Sequence, residues 1–243
     1  MDDIRNRGFL AGEIDSFRRR YRSAYSNSFA TCEAKSDAAT AQLFNADLAK
    51  LDSPAQMHVV MAVGFWCRSL RACQGAILLL EKGMVSEAFS LTRNAYECLF
   101  FAAALISDPG VMESLKSGDS HARREQAKSM LDIGLKENAW TPEQVASLEE
   151  VMAEHAGGKK QLSVYEAAEK AGMAFVYATV YRGLSFISSH ATIASTDSVF
   201  EQRGEGFGAV FGPSDVQLEF CLGLVDTCLA EGMKRLSAYL RPA

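Results

Sequence analysis

Apolar residues recur along this chain at steps of three and four, the spacing of one helical face. Val59, Val63, Trp66, Leu70, Cys73 and Ile77 form the clearest stripe, which predicts a helix from about Ala55 to Glu81. Asp52-Ser53-Pro54 reads as its start and Lys82-Gly83 as its stop. A second stretch, from about Val85 to Ser107, is apolar on nearly all sides and closes at Asp108-Pro109-Gly110. The short link between the two predicts an antiparallel hairpin of long apolar helices.

Around this hairpin the pattern weakens and recovers. Asp119 to Asn138 reads as a more polar helix, with Met130, Leu131 and Leu135 on its packing side. Thr141-Pro142-Glu143 reads as a cap with proline at the first helical position, opening a helix to about His155. Ser163 is a candidate cap for a short helix to Lys170, and Met173 to Ser189 is again strongly apolar at helical spacing. Residues 191–213 break the pattern with glycines and short apolar runs, predicting a loop or at most a small hairpin. Residues 214–240 return to a long helix. Upstream, residues 36–50 predict a short helix. The expected fold is all-α: a bundle built around the apolar hairpin, with peripheral helices and a Gly-rich loop near 191–213. We read a single helical domain over 1–243, with residues 1–50 peripheral and 55–240 forming the bundle core.

Composition adds limits. The 243 residues are 48% hydrophobic, enough for a sizeable core, and the formal net charge is −5. A mildly acidic chain gives no general support for nucleic-acid binding. The basic knot Arg18, Arg19, Arg20 and Arg22 suits nucleic acid or acidic lipid, but at this length it reads as a solvated helix face. Six cysteines lack C-x-x-C spacing and read as reduced, buried thiols. No secretory signal opens the chain, and no apolar run approaches the roughly 20 residues that span a bilayer. A cytoplasmic protein without a membrane partner is expected.

The chemistry concentrates in LTRNAYECLFFAAALI, Leu91 to Ile106. Arg93 and Glu97 stand one turn apart inside it, on the same face as Phe89 and Phe100 at roughly 100° per residue. A sealed intrahelical pair seldom repays its desolvation, and breaking one costs roughly 3–5 kcal/mol. The pair is therefore either a structural lock or the wall of a polar cleft. His190 ends the apolar face of the 173–189 helix. A carboxylate beside that imidazole would hold it near neutral pKa for general acid–base work, and an arginine would stabilise a developing anion. Arg93, Glu97 and His190 are thus the candidate catalytic set, with Arg68, Tyr96, Arg182 and Ser185 as candidate ligand-binding neighbours. No histidine has an acidic residue three positions before it, and the cysteines have no compact ligand spacing, so no metal and no cofactor is expected.

The segment LLEKGMVSEAFSLTRNAYECLFFAAALISDP resembles the centre of a bacterial family of all-helical domains of unknown function. In that family a long core helix carries arginine, three residues, then glutamate. A later Y-x-x-L-S-x-x-x-H-like element is matched by Tyr181, Leu184, Ser185 and His190, with one extra residue before the histidine. A remoter similarity is to helical ribonuclease domains of bacterial toxins and defence systems. Their arginine and histidine are separated by four to six residues, whereas seven separate Arg182 from His190 here, so the strict motif is not matched.

Three functions stay open at this point. The first is a helical interaction or scaffold domain in a bacterial defence or stress context, joining a copy of itself or a protein partner. The second is a metal-independent phosphoryl-transfer or ribonuclease-like enzyme using Arg93, Glu97 and His190. The third is a sensor for a small anionic ligand, with the same residues lining its pocket.

Overall fold

The computed structural model describes residues 3–47, 56–189, 193–204 and 206–240. Among them the chain is an all-α bundle with one small β-hairpin. Helices α1 (Ile4–Arg7), α2 (Ile14–Ala24) and α3 (Ser26–Asn45) lead into α4 (Met57–Leu80) and α5 (Val85–Ser107). The start signal proposed at Asp52-Ser53-Pro54 lies outside the described residues. Helices α6 (Val111–Lys136), α7 (Pro142–Glu154) and α8 (Val164–Lys170) follow. Residues 174–189 then alternate α-turns α9 (Ala174–Val176) and α10 (Arg182–Leu184) with π-turns Tyr177–Tyr181 and Ser185–Ser189. A 3-10 segment Ala194–Val199 precedes strands β1 (Phe200–Arg203) and β2 (Gly206–Ala209), and α11 (Leu218–Leu236) ends the fold.

The closest helix packing is α4 on α5. A Cβ on Gly75 would meet Leu91, Ser69 donates to the Ala95 carbonyl at 2.9 Å, and Phe65 stacks on Phe101. These pairs march in opposite directions along the two helices, so the pair is antiparallel. Gly83 makes the turn with φ 75°, a conformation in which glycine pays no steric penalty. Helix α11 covers both. It buries Cys221, Leu222, Val225, Cys228 and Leu229, and its Gly232 admits the indole of fully buried Trp66. Helix α3 lies along α11, with Cys32 against the Leu222 carbonyl and Lys35 paired to Asp226 at 2.6 Å. These four helices share one core, to which Tyr21, Val111, Ala167, Ala168, Tyr181 and Leu184 of other elements contribute.

Local signals account for several boundaries. Thr141 and Ser163 each form a reciprocal capping box, with Gln144 and Glu166, satisfying orphan donors at the starts of α7 and α8. Several sequence expectations are corrected, among them the packing side of the polar helix, where Met130 and Leu135 are exposed. Helix α6 begins at Val111 rather than Asp119, and its Gly118 gives the Gln161 segment room to pack against it. Helix α3 begins at Ser26, ten residues before the expected start, and buries Phe29, Cys32, Ser36 and Ala39.

The basic knot is not simply a solvated face. Glu81, buried at the end of α4, receives Arg18 Nε at 2.8 Å and Arg22 Nη1 at 3.1 Å. Arg22 also clasps Glu33 through both terminal nitrogens, at 2.7 and 3.0 Å. The Arg20 guanidinium lies 4.9 Å from the ring centres of both Phe17 and Tyr21. Helix α2 is tied by these contacts to α3 and α4.

Candidate functional site

Helix α5 presents Arg93 and Glu97 one turn apart, and the 174–189 segment presents Tyr181 and Ser185 one turn apart. The two i,i+4 pairs face each other and form one network. Arg93 Nε donates to Ser185 Oγ at 2.8 Å, and Arg93 Nη2 donates to the Tyr181 hydroxyl. Arg93 Nη1 meets Glu97 Oε2 at 3.2 Å, and the Tyr181 hydroxyl donates to that same oxygen at 2.7 Å. Ser185 in turn donates to the Tyr181 carbonyl at 2.8 Å, a back-bond to the preceding turn. The Arg93 guanidinium also lies 4.5 Å from the centre of the Tyr181 ring, within cation–π range.

Aromatic packing fixes this seam. Tyr181 is buried edge-on against Phe100 of α5 and stacks on Tyr177, which touches Tyr165 of α8. Tyr181 closes the first π-turn and Ser185 opens the second, with α10 between them. Turns of this wider kind occur often at functional sites. Burial, and then the hydrogen bond to Glu97, push the Tyr181 phenol well above its usual range, while Arg93 acts in the opposite direction. The phenol is therefore a donor to Glu97 at neutral pH. The side chains of Arg93 and Glu97 are 21% and 34% exposed, so the network sits at the rim of the bundle and not in a sealed core.

Of the residues singled out in the sequence, Arg93, Glu97 and Ser185 come together, and Tyr181 joins them as the shared partner. The facing i,i+4 spacing of 93/97 and 181/185 is the sequence signal for this match. Tyr96 is fully buried and spends its hydroxyl on the Leu224 carbonyl at 2.9 Å, inside the seam between α5 and α11. Arg68 and Arg182 are exposed. Arg68 lies near enough to Cys98 to oppose the effect of burial on that thiol. His190 lies outside the described residues. Among the described residues no group of three or more His, Cys, Asp or Glu side chains is placed to hold a metal ion. Among them, too, no helix is long and apolar enough to cross a membrane.

Comparison with known proteins adds one assignment. Residues 59–207, which hold α4, α5 and the whole Arg93 network, match a family described as a family of unknown function, DUF5677. No curated protein and no solved structure matches the chain. More than half of the chain, including both segments that carry the candidate site, is covered by that match: the chain belongs to this family of unknown function.

Proposed function

We propose that the chain is a non-catalytic helical interaction domain, and that the Arg93–Glu97 pair is a lock seating the 174–189 segment on α5. One observation carries this reading. All three guanidinium nitrogens of Arg93 are engaged by the protein's own Ser185, Tyr181 and Glu97, and one Glu97 oxygen already takes two of the network's contacts. A site built to stabilise a developing anion keeps donors aimed at open space. Here they are aimed across a helix–helix seam.

Exposed aromatic side chains on and near the locked segment support an interaction role. Phe175 and Phe186 are 79% and 61% exposed, and Phe207 on the adjoining hairpin is 81% exposed. Large exposed apolar side chains of this kind supply the anchors of protein contact surfaces. A second copy of the chain or a protein partner fits this reading, in the bacterial defence or stress setting that the resemblance implies. Residues 1–243 act in it as a single unit with 55–240 as the bundle core, and six free thiols suit a reducing cytoplasm.

The test runs melting curves and RNA cleavage side by side on the wild type, Glu97→Gln and His190→Ala. The lock reading expects no cleavage by any of the three and a lower melting temperature for Glu97→Gln. Cleavage by the wild type that disappears in His190→Ala at an unchanged melting temperature would establish the ribonuclease-like alternative instead.

A further inference from the structure

We propose that the arginine-lined cleft on α2 binds a phosphate-bearing ligand. The site lies apart from the Arg93 network and does not depend on its role. Asp15, Arg18, Arg19 and Arg22 line a surface cleft of about 410 Å³. Behind it stands Glu81, whose side chain is 4% exposed. That buried carboxylate, with Glu33, fixes two of the arginines in place before any ligand arrives. Arg22 is held by Glu33 and Glu81 together, and Arg18 meets Glu81 through Nε, so its Nη edge is not spent on that carboxylate. Arg19 is exposed and makes no ion pair among the described residues. The lining itself, Arg18, Arg19 and Arg22 against Asp15, carries a formal charge of +2, and Glu33 and Glu81 behind it balance that charge while they orient Arg18 and Arg22.

Planar guanidinium forks held in fixed orientation match the oxygen geometry of phosphate, and pre-ordering by a buried carboxylate removes part of the entropy cost of closing on it. The cleft suits one small headgroup. A nucleic-acid backbone is tracked by a basic stripe, whereas the lining arginines of this cleft all stand on the single helix α2. A free phosphorylated metabolite and a phosphorylated lipid headgroup share the chemistry the cleft selects.

The experiment titrates the full chain with inorganic pyrophosphate by calorimetry. In parallel it measures sedimentation with phosphatidylcholine vesicles containing phosphatidylinositol phosphate. Saturable binding is expected in at least one arm, weakened at least tenfold by Arg19→Glu at an unchanged melting temperature. Pyrophosphate binding identifies a soluble ligand, and vesicle binding alone identifies a lipid headgroup. No saturable binding in either arm, or binding equal in Arg19→Glu, would overturn the proposal.

Discussion

The Tyr181 hydroxyl stands between Arg93 and Glu97, accepting from Arg93 Nη2 and donating to Glu97 Oε2 at 2.7 Å. A phenol is the one neutral side chain here that accepts from the cation and donates to the anion at once. It turns an intrahelical ion pair into a bridge between two segments of the chain.

Because this pair sits at the rim, removing its charge costs less than opening a sealed pair. In Glu97→Gln the amide oxygen still accepts from Tyr181 but the ionic component is lost. The expected cost is about 1 kcal/mol. For a chain of this size that lowers the melting temperature by about 2–4 °C, measured by circular dichroism or calorimetry. A loss near the 3–5 kcal/mol of a sealed pair would contradict the rim geometry.

The alkaline limb of stability tests the phenol. Tyr181 is raised above the usual tyrosine value near 10, chiefly by burial and then by its bond to Glu97. A raised folded value means that the protonated phenol contributes its full stabilisation below about pH 10 and loses it as pH rises through the folded value. Cys32 and Cys221, pushed up to about 12 by burial, add losses of the same sign. Denaturant midpoints of the wild type should fall steeply above about pH 10, and those of Tyr181→Phe less steeply.

Thiol labelling should follow burial. Cys67 is half-buried while the other five cysteines are buried. Burial raises Cys32, Cys67, Cys98 and Cys221, and for Cys73 contact with the Cys228 thiol and burial both act upward. Iodoacetamide at neutral pH, read by peptide mass spectrometry, should mark Cys67 first and the others only on denaturation. Early modification of Cys73 or Cys228 would show that the α4–α11 seam opens readily.

Gly232 tests that seam from the other side. A Cβ there would lie 2.0 Å from Cζ3 of Trp66, a side chain with no exposed surface to swing into. Gly232→Ala should cost about 1–3 kcal/mol by overpacking, seen as a lower denaturant midpoint with an unchanged slope.

Much of the fold is legible in the sequence where side chains write local rules. The α4 stripe from Val59 to Ile77, the turn at Gly83, and the caps at Thr141 and Ser163 each act within a few residues of themselves. The starts of α3 and α6 are less legible, because Ser-, Ala- and Gly-containing stretches carry little amphipathic contrast. At the candidate site, the 93/97 spacing is visible on one helix. Its match to Tyr181 and Ser185 depends on how two segments lie together, and the π-turns that flank α10 have no comparable pattern. The Glu81 brace was hidden for the same reason: its arginines precede it by about sixty residues, and a glutamate at a helix end reads as solvated.

The central claim is that Arg93 acts as a lock through Tyr181, and a double-mutant cycle on Arg93→Met and Tyr181→Phe measures it most directly. Equilibrium denaturation of the wild type, both single variants and the double variant gives the coupling free energy. The lock predicts coupling of about 1–2 kcal/mol, because each variant alone already removes the bridge. Effects that add to within about 0.5 kcal/mol, the behaviour of independent sites, would contradict it.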